Sequence, residues 1–344
     1  MNADAAPNAS TAPAPTALRD LIVGGWISQA IYVAAKIGIA DLLEDGPKSP
    51  AVLAEVSGAD PDSLHRVLRA LASLGVFVET EDGRFALTPL ADGLRSKAPV
   101  SWRAFAIFCG ESWHWRAWGE LLHSVHTGQP AFEYAFGTAA FDYFAAHPEA
   151  ARIFDAAMTS GGSLQNRAVV TAYDFSAGTT VDVGGGEGAL LTTILGAYPS
   201  ARGLLFDLPH VNEAATNLIA KAGLEARCDV VSGSFFEQVP VGGSIYILKR
   251  IIHDWDDERA RVILKNCRTA MSDAGRLLLI EHVLVPGNAP SWTKLLDLEM
   301  LVITSGGRER TEEEFRTLLD SAGFALQRVI PTASPISIIE AVPR

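Results

Sequence analysis

Cysteine is scarce in this chain of 344 residues: Cys109, Cys228 and Cys267 are the full set, and no two form a CxxC pair. An odd count at wide spacing argues against a disulfide framework and against a zinc ribbon. Three reduced thiols in a cytoplasmic protein are the expectation. Positive charge is also short. Lys and Arg number 28 against 40 Asp and Glu, a net charge of −12, which argues against a nucleic-acid binder. No uncharged apolar run reaches the ~18 residues that a membrane helix needs. The Ala/Pro/Asn/Ser/Thr-rich start, Met1–Thr16, has no basic stretch leading into an apolar core. It reads as a disordered tail rather than a signal peptide.

Hydrophobic residues make up 48% and charged residues 20%, the composition of a folded chain whose length suggests two domains. Three regions separate after the tail. In 17–99, Leu18, Leu21, Ile22, Trp26, Ala30, Val33, Ala34 and Ile37 form an apolar helical stripe. Ser49-Pro50 and Asp60-Pro61 look like helix starts, and Gly75 closes a helix over Pro61–Leu74. Glu81-Asp82-Gly83 between apolar runs signals a hairpin. Three helices and a hairpin in that order make a winged helix-turn-helix. Region 100–167 is helical and aromatic, a linker that could also wall a pocket for a flat ligand. In 168–344 strands alternate with helices, which means a Rossmann-like α/β domain with a mostly parallel sheet. The strands read at Thr180–Val183, Arg202–Phe206, Cys228–Ser232, Ser244–Leu248, Gly275–Ile280 and near Ile336–Val342.

The sharpest signal is Val181-Asp182-Val183-Gly184-Gly185-Gly186-Glu187-Gly188, a strand running into a glycine turn that opens a helix. Glycines there let backbone approach a ligand. Asp207 ends the next strand at the spacing of a ribose-binding carboxylate. A nicotinamide site would read GxGxxG and face a pyrophosphate, which Glu187 would repel. S-adenosylmethionine has no phosphate and carries a sulfonium and an ammonium, so an acidic loop suits it.

Five ordered motifs then make a resemblance specific: VDVGGGEGALL, FDLPHV (Phe206–Val211), GSFFEQVP (Gly233–Pro240), LKRIIHDWDD (Leu248–Asp257) and GGRERTEEEF (Gly306–Phe315). Together they resemble the plant-type (caffeate- and hydroxyindole-like) O-methyltransferases, whose microbial members decorate aromatic natural products. The resemblance covers nearly the whole chain. It implies S-adenosyl-L-methionine as cofactor, with S-adenosyl-L-homocysteine as product, and a small aromatic hydroxyl compound as substrate. It implies a homodimer through the N-terminal domain and no metal, while the charge balance and the lack of a long apolar run leave nucleic acid and membrane out of the expected partners. Gly184, with Gly186 and Glu187, would meet the methionine part, and Asp207 with Leu208 the ribose. Ser234 and Phe235 would lie at the adenine, and Lys249 and Arg250 near the cofactor and pocket wall. Relatives usually carry Asp where Ser234 stands. A serine hydroxyl still accepts a hydrogen bond, but not a charge-assisted one. Met158 and Met300 match methionines that sandwich the substrate ring, and Trp113 is a further candidate for the wall.

Methyl transfer from a sulfonium is an in-line displacement, in which alignment contributes on the order of 7–11 kcal/mol. The hydroxyl must also lose its proton. A phenol of pKa ~10 facing a histidine of ~6.5 makes full prior transfer cost about 5 kcal/mol, so transfer concerted with methylation is favoured. His253, just after the apolar strand Ile245–Leu248, sits where such sheets bind ligands and is the candidate general base. The resemblance assigns it the same role, with Glu281 and Glu309 as carboxylates that orient it and Asp254 beside it. Asp256 and Asp257 read instead as a helix N-terminal acidic cluster. Two other readings stay open. Some relatives bind the cofactor but hydroxylate, decarboxylate or cyclise. The winged helix would suit a regulator, although 16–100 carries 8 Lys and Arg against 11 Asp and Glu.

Overall fold

The computed structural model describes residues 14–160, 162–209 and 211–344. The tail expected over Met1–Thr16 lies outside them, except that Ala14–Thr16 open the first helix. The chain forms two compact units, one of residues 1–119 and 141–161, the other of 120–140 and 162–344. The aromatic region 100–167 is thus shared between them.

In the first unit the apolar stripe is not one helix. It breaks at Val23 into Ala14–Ile22 and Gly24–Lys36, because Gly24-Gly25 is a poor helix interior. Ser49 and Asp60 cap the helices that Pro50 and Pro61 open, and Gly75 takes positive φ after the second, as expected. Strands β1 (Phe77–Glu79) and β2 (Phe85–Leu87) pair antiparallel around the Asp82-Gly83 turn. Leu53, Leu64, Leu68, Leu71, Phe77 and Phe85 fill the core beneath them. Leu21 and Trp26 remain 78% and 77% exposed.

In the second unit a seven-stranded sheet forms among the described residues, in the order β5-β4-β3-β6-β7-β9-β8. Its strands are β3 Thr179–Val183, β4 Arg202–Asp207, β5 Cys228–Ser232, β6 Ile245–Lys249, β7 Arg276–Glu281, β8 Phe324–Pro331 and β9 Ser337–Pro343. The first five run parallel, and β9 is antiparallel to both β7 and the edge strand β8, which therefore runs in the direction of the first five. Period-2 alternation sorts the side chains. Tyr246, Leu248, Leu277 and Leu279 face the helices Asp257–Ala270 and Glu312–Ser321. Ile245, Ile247, Leu278 and Ile280 face the helices Gly162–Ala172 and Ala189–Ala197. Each such side chain contributes ~1.5–3 kcal/mol on burial. The chain runs outward from β3 through β4 and β5, then returns beside β3 as β6. That reversal leaves a crevice at the C-terminal ends of β3 and β6, where open α/β sheets bind ligands. No helix among the described residues is long and apolar enough to cross a membrane.

Candidate active site

Every loop at that crevice carries one of the sequence motifs. After β3, Gly184, Gly186 and Gly188 take φ of 70°, 57° and 82°, which only glycine adopts without strain. A Cβ on Gly184 would fall 2.6 Å from Ile251 and 3.4 Å from Phe235. The loops after β3, β5 and β6 therefore converge at bare backbone. Asp207 holds this cradle. Its Oδ2 accepts from Gly186 N at 2.8 Å and its Oδ1 from Leu208 N at 2.7 Å, which leaves each oxygen a lone pair for a ribose hydroxyl. Ser234 Oγ accepts from Phe236 N at 3.2 Å, so its proton and one lone pair remain. Asn266 fixes the Phe235 carbonyl at 2.8 Å. Leu208 and Glu187 are exposed.

Behind the cradle lie the expected Lys249 and Arg250, with two groups that carry no expected role, Asp182 and Asn166. Asp182 is buried with Oδ2 unpartnered. Burial pushes its carboxyl up to about 7, against the pull of Lys249, while Asp207 adds to the rise. Lys249 donates to Asn166 Oδ1 at 2.6 Å. Burial and neighbouring Arg250 lower its ammonium to about 8, and Asp182 opposes them. A buried carboxylate with a free oxygen, a desolvated lysine and a bare-backbone loop fit a zwitterionic amino-acid moiety and a ribose. Arg250 has φ 54°, the one positive value at a non-glycine among the described residues. Strain of this kind gathers at functional sites.

His253 lies in a 3-10 turn, Ile252–Asp254, just past β6 and is 3% exposed. Its Nδ1 meets Glu309 Oε1 at 2.8 Å, and its Nε2 stands 3.5 Å from Asp254 Oδ1. Burial alone would lower the imidazole. Asp254, Glu281 and Glu309 outweigh it and raise the ring to about 9. The carboxylates answer in kind. Burial pushes Glu281 up to about 7 against the attraction of His253, and it raises Asp254 as well. Glu281 does not touch the ring in a hydrogen bond. It accepts from Ile251 N at 3.1 Å and Ile252 N at 2.9 Å, and so ties the turn to β7.

Glu309 is held by its own backbone. Arg308 N donates to His253 O at 2.8 Å, Glu309 N to Asp297 Oδ1 at 2.8 Å, and Leu284 N to Arg310 O at 2.9 Å. Gly307 permits the approach, because a Cβ there would sit 2.6 Å from His253 O and 2.8 Å from the Asp254 carbonyl carbon. Asp256 caps the next helix and Asp257 pairs with Arg310. Asp297 was not singled out in the sequence, since it belongs to no short-range pattern, and Arg310 stood inside GGRERTEEEF without a role of its own.

Of the expected substrate wall, Met300 is buried in the second unit, on the helix Trp292–Ile303. Met158 is half-buried in the first. Trp113, also in the first, is buried edge-on against Phe108 and Phe144 at 5.5 and 5.3 Å.

Similar proteins identify the family. A family model described as an O-methyltransferase domain matches residues 118–325, and one described as an O-methyltransferase dimerisation domain matches residues 20–96. The chain is 51% identical over 336 residues to the phenazine O-methyltransferase PhzM of Lysobacter antibioticus, covering 97% of this chain and 98% of that one. The phenazine-1-carboxylate N-methyltransferase of Pseudomonas aeruginosa is 36% identical over 324 residues, covering 94% and 96%. Among solved structures, LaPhzM has a TM-score of 0.91 at 51% identity and covers 97% of this chain and 100% of its own. NcsB1 of neocarzinostatin biosynthesis, in complex with S-adenosylmethionine and 2-hydroxy-5-methyl naphthoic acid, has a TM-score of 0.82 at 34% identity and covers 97% and 100%. The chain belongs to the plant-type S-adenosylmethionine-dependent O-methyltransferase family, in its microbial natural-product branch.

Proposed function

We propose that this enzyme methylates a phenolic hydroxyl on a fused-ring aromatic natural product, with His253 as general base, and that it works as a cytoplasmic homodimer. The observation that carries the reading is the buried His253–Glu309 pair at 2.8 Å. Glu309 claims Nδ1–H, so the neutral ring presents Nε2 as the acceptor. The sulfonium of the bound cofactor supplies the methyl group. The remaining work falls to the chain. Asp207 and the glycine loop position the ribose and methionine ends, with Ser234 and Phe235 at the adenine. Nε2 takes the phenol proton as the oxygen attacks, and Asp254, Glu281 and Glu309 stabilise the imidazolium that forms.

The fused-ring substrate class rests on the 51% identity to a phenazine enzyme. Transfer to a ring nitrogen, the activity named for the Pseudomonas relative, needs no base when the nitrogen lone pair is free. A buried base therefore favours oxygen. The exposed Leu21, Ile22 and Trp26, within the stretch matched by the dimerisation-domain model, support the homodimer. Three free cysteines, two of them buried, fit a reducing compartment.

The test pairs binding with turnover. Calorimetry with S-adenosylhomocysteine should give an affinity that His253→Ala retains. Mass spectrometry on hydroxyphenazines and naphthols should find one added methyl group, formed ~10²–10⁴-fold more slowly by His253→Ala. Undiminished methylation by that variant would leave alignment alone as the better account.

A further inference from the structure

We propose that Arg310 is a positioning residue that clamps the turn carrying His253, a role that rests on the reading of His253 as general base. Arg310 is 1% exposed, the largest fully buried side chain among the described residues. A charge so deep must be fully hydrogen-bonded to be tolerated. Its partners are specific. Nη1 donates to Ile252 O at 2.9 Å and Nη2 to Trp255 O at 2.8 Å. These are the carbonyls just before His253 and just after Asp254. Nε and Nη2 both reach Asp257 Oδ1, at 3.0 and 2.8 Å. One rigid guanidinium therefore brackets the whole catalytic turn and anchors it to the first residue of the helix behind it.

The neighbour of Arg310 in the chain is Glu309, the acceptor of His253 Nδ1. Consecutive residues thus set both halves of one geometry: Glu309 fixes the ring and Arg310 fixes the backbone that carries it. The segment cannot slide, because Arg308, Glu309 and Arg310 bond in turn to His253 O, Asp297 and Leu284 N. Lysine cannot take over the task, since a single ammonium does not present a planar fork to two carbonyls and a carboxylate. Displacement of a catalytic group by ~1 Å can cost ~10²-fold in rate, so the clamp should act on kcat and leave cofactor affinity alone.

The experiment is a double-mutant cycle of Arg310→Lys with His253→Ala, read as kcat on a hydroxyphenazine or naphthol that the wild type methylates. Calorimetric binding of S-adenosylhomocysteine serves as the check of folding. Arg310→Lys is expected to lower kcat by about tenfold or more with that affinity unchanged, and to lower it no further once His253 is alanine. An equal loss in both backgrounds, or none in the first, overturns the clamp. Should Arg310→Lys fail to fold, Asp257→Asn loosens the same guanidinium from a half-exposed position. It is expected to lower kcat several-fold only when His253 is present, and an equal effect in both backgrounds again overturns the proposal. If His253→Ala leaves kcat intact, it is the base reading that fails. The clamp is then judged by NMR titration of the His253 ring, whose midpoint must fall in Arg310→Lys (or in Asp257→Asn, if the lysine variant does not fold) as the Glu309 bond loosens. An unmoved midpoint overturns it.

Discussion

Replacing Glu309 by Gln tests how the site makes a histidine a competent base for a phenol. At its ordinary pKa of ~6.5, histidine lies ~3.5 units below a phenol of ~10. Raised to about 9, the ring lies only ~1 unit below, and full transfer falls from about 5 to about 1.4 kcal/mol. The price is occupancy: a group of pKa 9 is neutral in only about 3% of molecules at pH 7.5 and in about half at pH 9. Wild-type kcat/KM should therefore climb about 15-fold between pH 7.5 and 9. A bound sulfonium opposes the imidazolium and moves the midpoint somewhat below 9. In Glu309→Gln the amide oxygen still accepts from Nδ1, but the charge is gone. Asp254 and Glu281 remain and still raise the ring, so the midpoint falls below the wild-type value and the limb flattens at a lower pH. If half the proton has moved at the transition state, each unit of basicity lost lowers the plateau about threefold. The assay is methyl transfer from labelled cofactor across pH 6 to 10, on one phenol, so that the phenol's own ionisation is common to both enzymes. A wild-type profile flat from pH 7 to 9, or a variant with the same midpoint, would refute the argument.

Asp207→Ala removes the acceptor of both Gly186 N and Leu208 N. Hydrogen bonds to a charged group contribute ~1.5–3 kcal/mol, so S-adenosylhomocysteine should bind at least tenfold more weakly by calorimetry. Asp182→Asn should make the fold more stable at high pH. The folded carboxyl titrates near 7 and the unfolded one near 4, so wild-type stability is lost as pH rises through that window, and Asn has no charge to desolvate. Its Tm should match wild type at pH 4 and exceed it at pH 8. A lower Tm at pH 8 would mean that the Lys249 charge outweighs burial. Gly307→Ala should push the Glu309 segment off the His253 turn and cut kcat by about tenfold or more, at unchanged cofactor affinity. Leu21→Glu with Trp26→Glu should give a monomer by light scattering if the exposed face is the dimer contact.

The sheet was legible wherever a strand is buried on both faces. Runs such as Leu277–Ile280 are apolar throughout and were read to within a residue or two. Strand β8 was missed, and its sequence explains why. It is an edge strand in which only Phe324 and Leu326 are buried, and a register shift between Leu326 and Arg328 breaks the alternation. The division of region 100–167 between two units was also invisible. Helical periodicity says which face is apolar, not which body covers it. In the site, Asp207 and His253 announced themselves by position after a strand. Glu309 stands 56 residues from His253, and only the resemblance linked them. Asn166 and Asp297 left no local pattern, and Asp182 and Arg310 stood inside motifs without a role of their own, because the importance of all four comes from burial and partners that the fold assembles.

The arrangement of charge gives these hidden residues a common purpose. With His253 as the proposed base, the positive charge leaves sulfur during transfer and, with the phenol proton, arrives on the imidazole. A negative field at the departure point would hold the reactants back, whereas one at the destination favours the transition state. The three carboxylates Asp254, Glu281 and Glu309 all act on His253, while burial raises Glu281 and Asp254 against the attraction of the ring. At the cradle the balance differs, since Asp182 is offset by Lys249. The acidic cost is thus concentrated where the charge ends its journey. A net charge of −12 gives no hint of this, because a net charge carries no position. The turn of His253 and the segment of Glu309 must also stay in register for the field to act, which is why the groups that pin them are backbone donors, a glycine and a buried arginine.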